Sequence, residues 1–268
     1  MGAETRLPHI NFHIGAPRIA SDIVHTAGKI KELRTATHCR ILTSKEFQKH
    51  IRPTVNGTLD VSTLVGADTD EEGFWKNLRE CEVLAASQHA MMGHPNVVFK
   101  AGTILPNAER RIERLSGLFE ATSLDLHLTI MNQLAYLSRL PTKYLTQEDT
   151  RGLNEAIPSW FDLVARIQQV CPSRRILIWD FDTPEKVALP FVMTVLNVDE
   201  ALADVMRKPV SESITHNKLI SKVFHKNILS EDVSMILDTQ YEKDLENIQT
   251  MGNVVLIRGE KVPADLHV

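Results

Sequence analysis

Short apolar segments alternate with segments of helical periodicity along this chain, and this alternation constrains the fold more than any other feature. The first apolar segment ends at Ile14, and the others occupy residues 82–87, 124–130, 175–179 and 254–257. Helical spacing of apolar residues occurs in residues 106–119, in the helix that Pro158 begins and in residues 233–248. Short buried strands joined by amphipathic helices form parallel sheets covered on both faces. We therefore predict an α/β fold of three layers, a mainly parallel sheet flanked by helices, as a single domain over residues 1–268.

The composition argues against several classes of protein. A hydrophobic content of 43% supports a sizeable core, yet no segment approaches the ~20 consecutive apolar residues of a membrane-spanning helix. A formal charge of −4 gives no attraction to nucleic acid, and the histidines show no spacing typical of a metal site. The N-terminal segment lacks the pattern of an export signal, and the widely spaced cysteines fit reduced thiols. We expect a cytoplasmic protein without nucleic-acid, membrane or metal partners.

Residues 12–28 combine the end of the first strand, a tight turn and the start of a helix. Gly15 and Pro17 are turn residues, and Ser21 or Asp22 is expected to cap the helix. Backbone N–H groups and the helix dipole attract an anion at such a junction, so the sequence predicts a phosphate-binding loop. A carboxylate from Asp22 in the first turn is expected to repel that phosphate, by roughly 4 kcal/mol for charges about 4 Å apart.

This segment resembles the nucleotide-binding loop of bacterial sulfotransferase-like proteins, H-I-G-x-P-K-T-G-T-T. The matching positions are His13, Ile14, Gly15, Ala16 and Pro17. Arg18 stands where the family has lysine, and residues 19–22 replace T-G-T-T and keep a hydroxyl only at Ser21. Further segments similar to the family are residues 105–119, 159–185 and 241–257. The resemblance implies a P-loop sulfotransferase-like fold and PAPS, an adenosine phosphosulfate that donates the sulfuryl group, as cofactor.

The resemblance also implies which residues of the first loop hold the donor. Gly15, Ala16, Arg18 and Ser21 are the implied cofactor-binding residues. Arg18 is in addition a catalytic candidate, because a planar, permanently charged guanidinium would support the leaving group.

In the family, the base that takes the acceptor's proton usually follows a later strand. His89 is the candidate in this chain, because a neutral imidazole accepts a proton near pH 7. His94 is a weaker alternative, since the glycine and proline beside it are typical of a turn.

A second signature of the family is R-N-P, followed six residues later by serine. Met131, Asn132 and Gln133 stand at the R-N-P positions, so the cation is missing there. Ser138 lies one residue before the family's serine and Arg139 lies at its position. Both are implied cofactor-binding residues, but a rotation of about 100° separates neighbours on a helix, so the two cannot face the site together.

Three functions follow from these observations. The leading hypothesis is a sulfotransferase-like protein with a degenerate donor site, a pseudoenzyme that binds or regulates and has weak or no transfer activity. The second is an active PAPS-dependent sulfotransferase that acts on a hydroxyl acceptor. The third is a protein interaction module without a small ligand, for which the acidic residues 67–73 would provide a surface. An anionic nucleotide or another small molecule is the expected partner in the first two cases.

Overall fold

The computed structural model describes residues 8–15, 18–36, 39–59, 73–78, 81–88, 91–92, 99–100, 103–138, 157–224, 231–259, 262–263 and 266. For residues 34–36, 76, 99–100, 138 and 218–224 it describes the backbone alone. The strands in these ranges are β1 His9–His13, β2 Cys39–Ile41, β3 Val83–Ser87, β4 Phe99–Lys100, β5 Thr103–Ile104, β6 Leu124–Ile130, β7 Arg175–Asp180 and β8 Val254–Ile257.

Helices separate most of these strands. They are α1 Arg18–Ala27, α2 Lys31–Ala36, α3 Ser44–Glu46, α4 Arg52–Asn56, α5 Phe74–Leu78, α6 Ala108–Leu118, α7 Gln133–Ser138, α8 Trp160–Val170, α9 Pro184–Leu196, α10 Ala203–Phe224 and α11 Glu231–Gln249. A π-helical turn, Phe47–Ile51, joins α3 to α4, and a 3-10 turn, Glu200–Leu202, precedes α10. Among the helices of the described ranges, each is too short or too polar to cross a lipid bilayer.

Six of the strands form one parallel sheet in the order β2, β3, β1, β6, β7, β8, and β4 and β5 form a small antiparallel hairpin. The predicted α/β class, with a mainly parallel sheet between helices, is confirmed. The five predicted strands are present, whereas β2 was not predicted from the sequence. Its three residues are too few to show a hydrophobic period.

Two apolar cores cover the two faces of the sheet. On one face, Ile10 and Phe12 of β1 and Ile14 just after it pack with α6, α8 and α11. On the opposite face, α1, α9 and α10 pack over a second cluster that includes Trp179 and Phe191. Burial of both faces explains the apolar run of β7, Ile176 to Trp179, and it explains why every residue of β6 is buried although three of its seven side chains are polar.

The helices begin where local capping and apolar spacing favour them. In α8 the Ser159 hydroxyl accepts the backbone N–H of Asp162 at 3.1 Å, and the buried residues Leu163, Val164 and Ile167 form one stripe. This helix therefore begins after Ser159 rather than at Pro158. The long helix α10 has no counterpart in the sequence prediction, and it contains an internal proline, Pro209.

On the face of the sheet beneath α9, polar side chains of the buried strands form hydrogen bonds with one another. The indole Nε1 of Trp179 donates to Nδ1 of His127 at 3.2 Å, so the neutral ring of His127 carries its proton on Nε2. That nitrogen donates to Oδ1 of Asn11 at 3.2 Å, and Nδ2 of Asn11 donates to the Thr194 carbonyl of α9 at 3.1 Å. Burial lowers the pKa of His127 to about 3.

Acid is expected to destabilise the fold through His127. Because the pKa of His127 is about 3 in the folded chain and about 6.5 in the unfolded chain, only the unfolded chain binds the proton between these values. The free energy of unfolding should fall by up to about 1 kcal/mol per pH unit as the pH drops through this range. Urea denaturation at several pH values measures the slope, which His127→Gln should flatten and the exposed control His216→Gln should leave unchanged. An equal slope in wild type and His127→Gln would contradict this account.

Candidate functional site

Ile14 and Gly15 follow β1 at the carboxyl edge of the sheet, where β1 lies between β3 and β6. We call these two described residues the turn after β1. The Ile14 N–H donates to the His127 carbonyl of β6 at 2.9 Å, and the Gln88 N–H donates to the His13 carbonyl at 3.0 Å. The chain leaves β1 toward α1 on one face, whereas α6 and α8, which follow β3 and β6, cover the other face. Such a divergence at the ends of parallel strands opens the crevice in which α/β proteins bind ligands.

Gly15 is in close contact with the end of β6. A Cβ atom at position 15 would lie 2.4 Å from the backbone nitrogen of Thr129 and 2.8 Å from its hydroxyl oxygen. A side chain at these separations would force the end of β6 to shift, which the backbone atoms of a central strand resist. The glycine is therefore required by packing against Thr129, and this requirement is independent of any bound phosphate.

His13 connects the turn to its neighbouring strands through hydroxyl groups. Its Nδ1 lies 2.7 Å from Ser87 Oγ, and its Nε2 lies 2.9 Å from Thr129 Oγ1. The Ser87 hydroxyl donates to Ser21 Oγ at 3.0 Å and so must accept from His13. The ring therefore donates from Nδ1, and the tautomer with its proton on that nitrogen accepts from Thr129 through Nε2. The ring is fully buried, packed edge-on against Phe191.

Ser21 lies inside α1 rather than at its cap. The helix begins at Arg18, so the expectation that Ser21 or Asp22 caps it was wrong. Ser21 is 1% exposed, and its hydroxyl approaches the Ser87 carbonyl at 3.4 Å. A contact between this hydroxyl and a phosphate would require the bonds to Ser87 to break.

Arg18 and Asp22 form an ion pair on the outer side of α1. Arg18 Nε lies 3.6 Å from Asp22 Oδ2, and the Arg18 side chain is 75% exposed. Asp22 belongs to the second turn of the helix, so the expected repulsion from a carboxylate in the first turn was misplaced. Its carboxylate instead offsets the charge of the one residue that replaces the family's lysine.

The residues at the R-N-P positions form hydrogen bonds with other parts of the protein. The Met131 carbonyl accepts the Trp160 indole N–H at 2.7 Å. Asn132 caps α7 by accepting the Ala135 N–H at 3.2 Å, and its amide donates to Asp238 at 2.7 Å. Gln133 is buried and donates to Asp244 at 2.8 Å.

Asp244 is the centre of this second region. Its buried carboxylate also accepts the Ser159 hydroxyl and the Trp160 backbone N–H, each at 2.7 Å, so it joins α7, α8 and α11. Burial raises the pKa of Asp244, which those donors partly offset. The region is a structural junction of three helices.

Several predicted site residues lie outside the described part of the chain. They are Ala16, Pro17, His89, His94 and Arg139. Ser138 ends α7, and only its backbone is described. The roles implied for these residues stay predictions.

Sequence reasoning did not single out Ser87 and Thr129, and it used His13 only as a match to the family loop. The signal that identifies them is a polar residue at or beside the carboxyl end of a buried strand. Their pairing depends on the sheet order, because the three strands are far apart in sequence. Within the described residues, no group of three histidine, cysteine or acidic side chains could hold a metal ion.

Comparison of the chain with models of known families, with curated proteins and with solved structures found no match.

The packing of Gly15 predicts a specific loss of stability. Gly15→Ala should lower the free energy of unfolding by about 1–3 kcal/mol, because the added methyl group overpacks the end of β6. Gly117→Ala in α6 is the matched control: apart from its chain neighbours and the backbone of its own helix, no described atom lies within 4 Å of the added Cβ. Alanine should stabilise that helix by up to about 1 kcal/mol. Urea denaturation of both variants tests the prediction, which fails if Gly15→Ala is as stable as wild type.

Proposed function

We propose that this chain is a cytoplasmic, P-loop sulfotransferase-like protein whose donor site has degenerated, and that it acts in binding or regulation with weak or no transfer activity. The position of Gly15 at the carboxyl edge of a parallel sheet supports an anion-binding origin of the loop. The central place of β1 in the strand order agrees with this origin.

The main support for this proposal is that side chains at the positions of the family's donor-binding residues form hydrogen bonds within the protein. Ser21 turns its hydroxyl inward to Ser87, and Gln133 turns its amide to Asp244. Asn132 bonds to α7 and to Asp238. A donor phosphate would have to displace these bonds, and each broken bond that leaves a buried group unpaired costs about 1–3 kcal/mol.

The exposure of Arg18 supports weak anion binding by this chain. It is also the observation that favours the second candidate, the active enzyme. An exposed ion pair such as Arg18–Asp22 contributes only about 0–1 kcal/mol, so the guanidinium is free to leave Asp22 for a phosphate. In the second candidate, a PAPS-dependent sulfotransferase, Arg18 would support the leaving group while His89 accepts the proton of a hydroxyl acceptor.

Calorimetric titration with adenosine bisphosphate, the spent form of PAPS, separates the two candidates. The degenerate site predicts heat only at millimolar ligand or none. Micromolar binding that Arg18→Ala abolishes would overturn it and establish a working donor site. Arg207→Ala is the matched control, because Arg207 pairs with Asp204 at the same 3.6 Å on α10 and is 68% exposed.

Removal of the competing carboxylate gives a second test of the same loop. Asp22→Asn should strengthen the binding of inorganic phosphate by about fivefold, the equivalent of about 1 kcal/mol, because Arg18 loses its partner. The affinity is measured by titration of phosphate at low salt. An unchanged affinity would show that Arg18 does not contact the anion.

A further inference from the structure

A cavity of about 580 Å³ lies beside the outer strand of the sheet and away from the turn after β1. Strand β2 pairs with β3 alone among the described strands, and the cavity extends along β2 between the end of α1, helix α2 and the end of α9. Its volume falls within the ~300–1,000 Å³ of small-molecule sites.

The walls of this cavity are mainly apolar. Its apolar side chains are Leu33, Cys39, Ile41, Leu42, Leu196 and Val198. No phenylalanine, tyrosine or tryptophan is among the described lining residues, so the walls offer aliphatic contact and no stacking platform for a base. They fit the flexible apolar body of a small ligand.

The charge of the cavity is positive. Lys29 and Arg40 are its charged residues, and no carboxylate is among the described residues that line it. The Arg40 guanidinium already has partners within the protein. One of its nitrogens lies 2.5 Å from the Glu46 carboxylate, and its Cζ lies 5.6 Å from the centre of the Phe74 ring. Burial lowers the pKa of His25, which also lines the cavity, so this ring adds no charge near pH 7.

Lys29 is the cation that remains available. It follows the end of α1 and is exposed, and within the described residues its ammonium group has no hydrogen bond or ion pair. An apolar cavity with a single available cation at its rim matches a ligand that has an apolar body and one negative charge.

We propose that this cavity binds a small aliphatic amphiphile with one anionic group, whose apolar body lies against Leu33, Ile41 and Val198 and whose anionic group pairs with Lys29. The site is independent of the donor site proposed above, because none of its described lining residues belongs to the turn after β1. The class of ligand is an aliphatic carboxylate or its equivalent.

Decanoate and decan-1-ol are the probes, because they share the aliphatic chain and differ in the charge. NMR titration of the full chain should show amide shifts at Leu33, Ile41 and Val198, with decanoate binding about fivefold more tightly than decan-1-ol. Lys29→Ala should remove this preference and leave the binding of decan-1-ol unchanged. Lys243→Ala, an exposed lysine of α11 on the opposite face, should retain it.

Ser44→Trp tests the position of the ligand. Ser44 is exposed at the rim of the cavity, so an indole there should block entry without entering the core. Gln48→Trp, an exposed position of the π-helical turn that does not line the cavity, is the control. Arg18→Ala should leave decanoate binding unchanged, which separates this site from the donor site. Absence of shifts at millimolar decanoate, equal affinity for both probes, or binding that survives Ser44→Trp would overturn the proposal.

Discussion

Burial of both faces of the parallel sheet is the constraint on which the other features depend. In the four central strands a residue that points to either face enters an apolar core, so any polar side chain there must find a partner within the protein. In the described strands, polar side chains form hydrogen-bonded rows that run across the sheet. Asn11 and His127 pair in the middle of the sheet, and His13 bonds to Ser87 and Thr129 at the carboxyl edge. At the amino edge of the sheet, the carboxylate of Asp125 forms an ion pair with Arg175.

The same demand shapes the chemistry of the turn after β1. A hydroxyl in a phosphate loop must point to the ligand, whereas Ser21 points to the sheet and completes the row that begins at Thr129. Gly15, which a phosphate loop would need for close approach of an anion, is used for close approach to β6. Packing therefore accounts for features that also occur in anion-binding loops, whereas the Arg18 side chain is directed to solvent.

Helix α1 connects the two proposed sites. Its apolar side, which includes Ile19, Ile23 and Val24, is buried against α9 and α10. Its polar side presents Arg18 and Asp22 near the turn, and the chain places Lys29 beside the cavity just beyond its last residue. One amphipathic helix of ten residues thus separates the proposed anion-binding position at its beginning from the cavity at its end.

The sequence by itself determined the fold class, because the period of apolar residues in β3, β6, β7 and β8 and in helices α6, α8 and α11 is a local property of the chain. It also predicted that the first strand ends near Gly15 and that a helix follows, since glycine permits and proline restricts backbone conformations locally. Short β2 and the proline-containing α10 gave too weak a local signal. Only the tertiary structure decided which polar groups meet: the direction of Ser21, the partners of His13 and Gln133 and the cavity at Lys29 depend on strand order and helix packing, which join residues far apart in the chain.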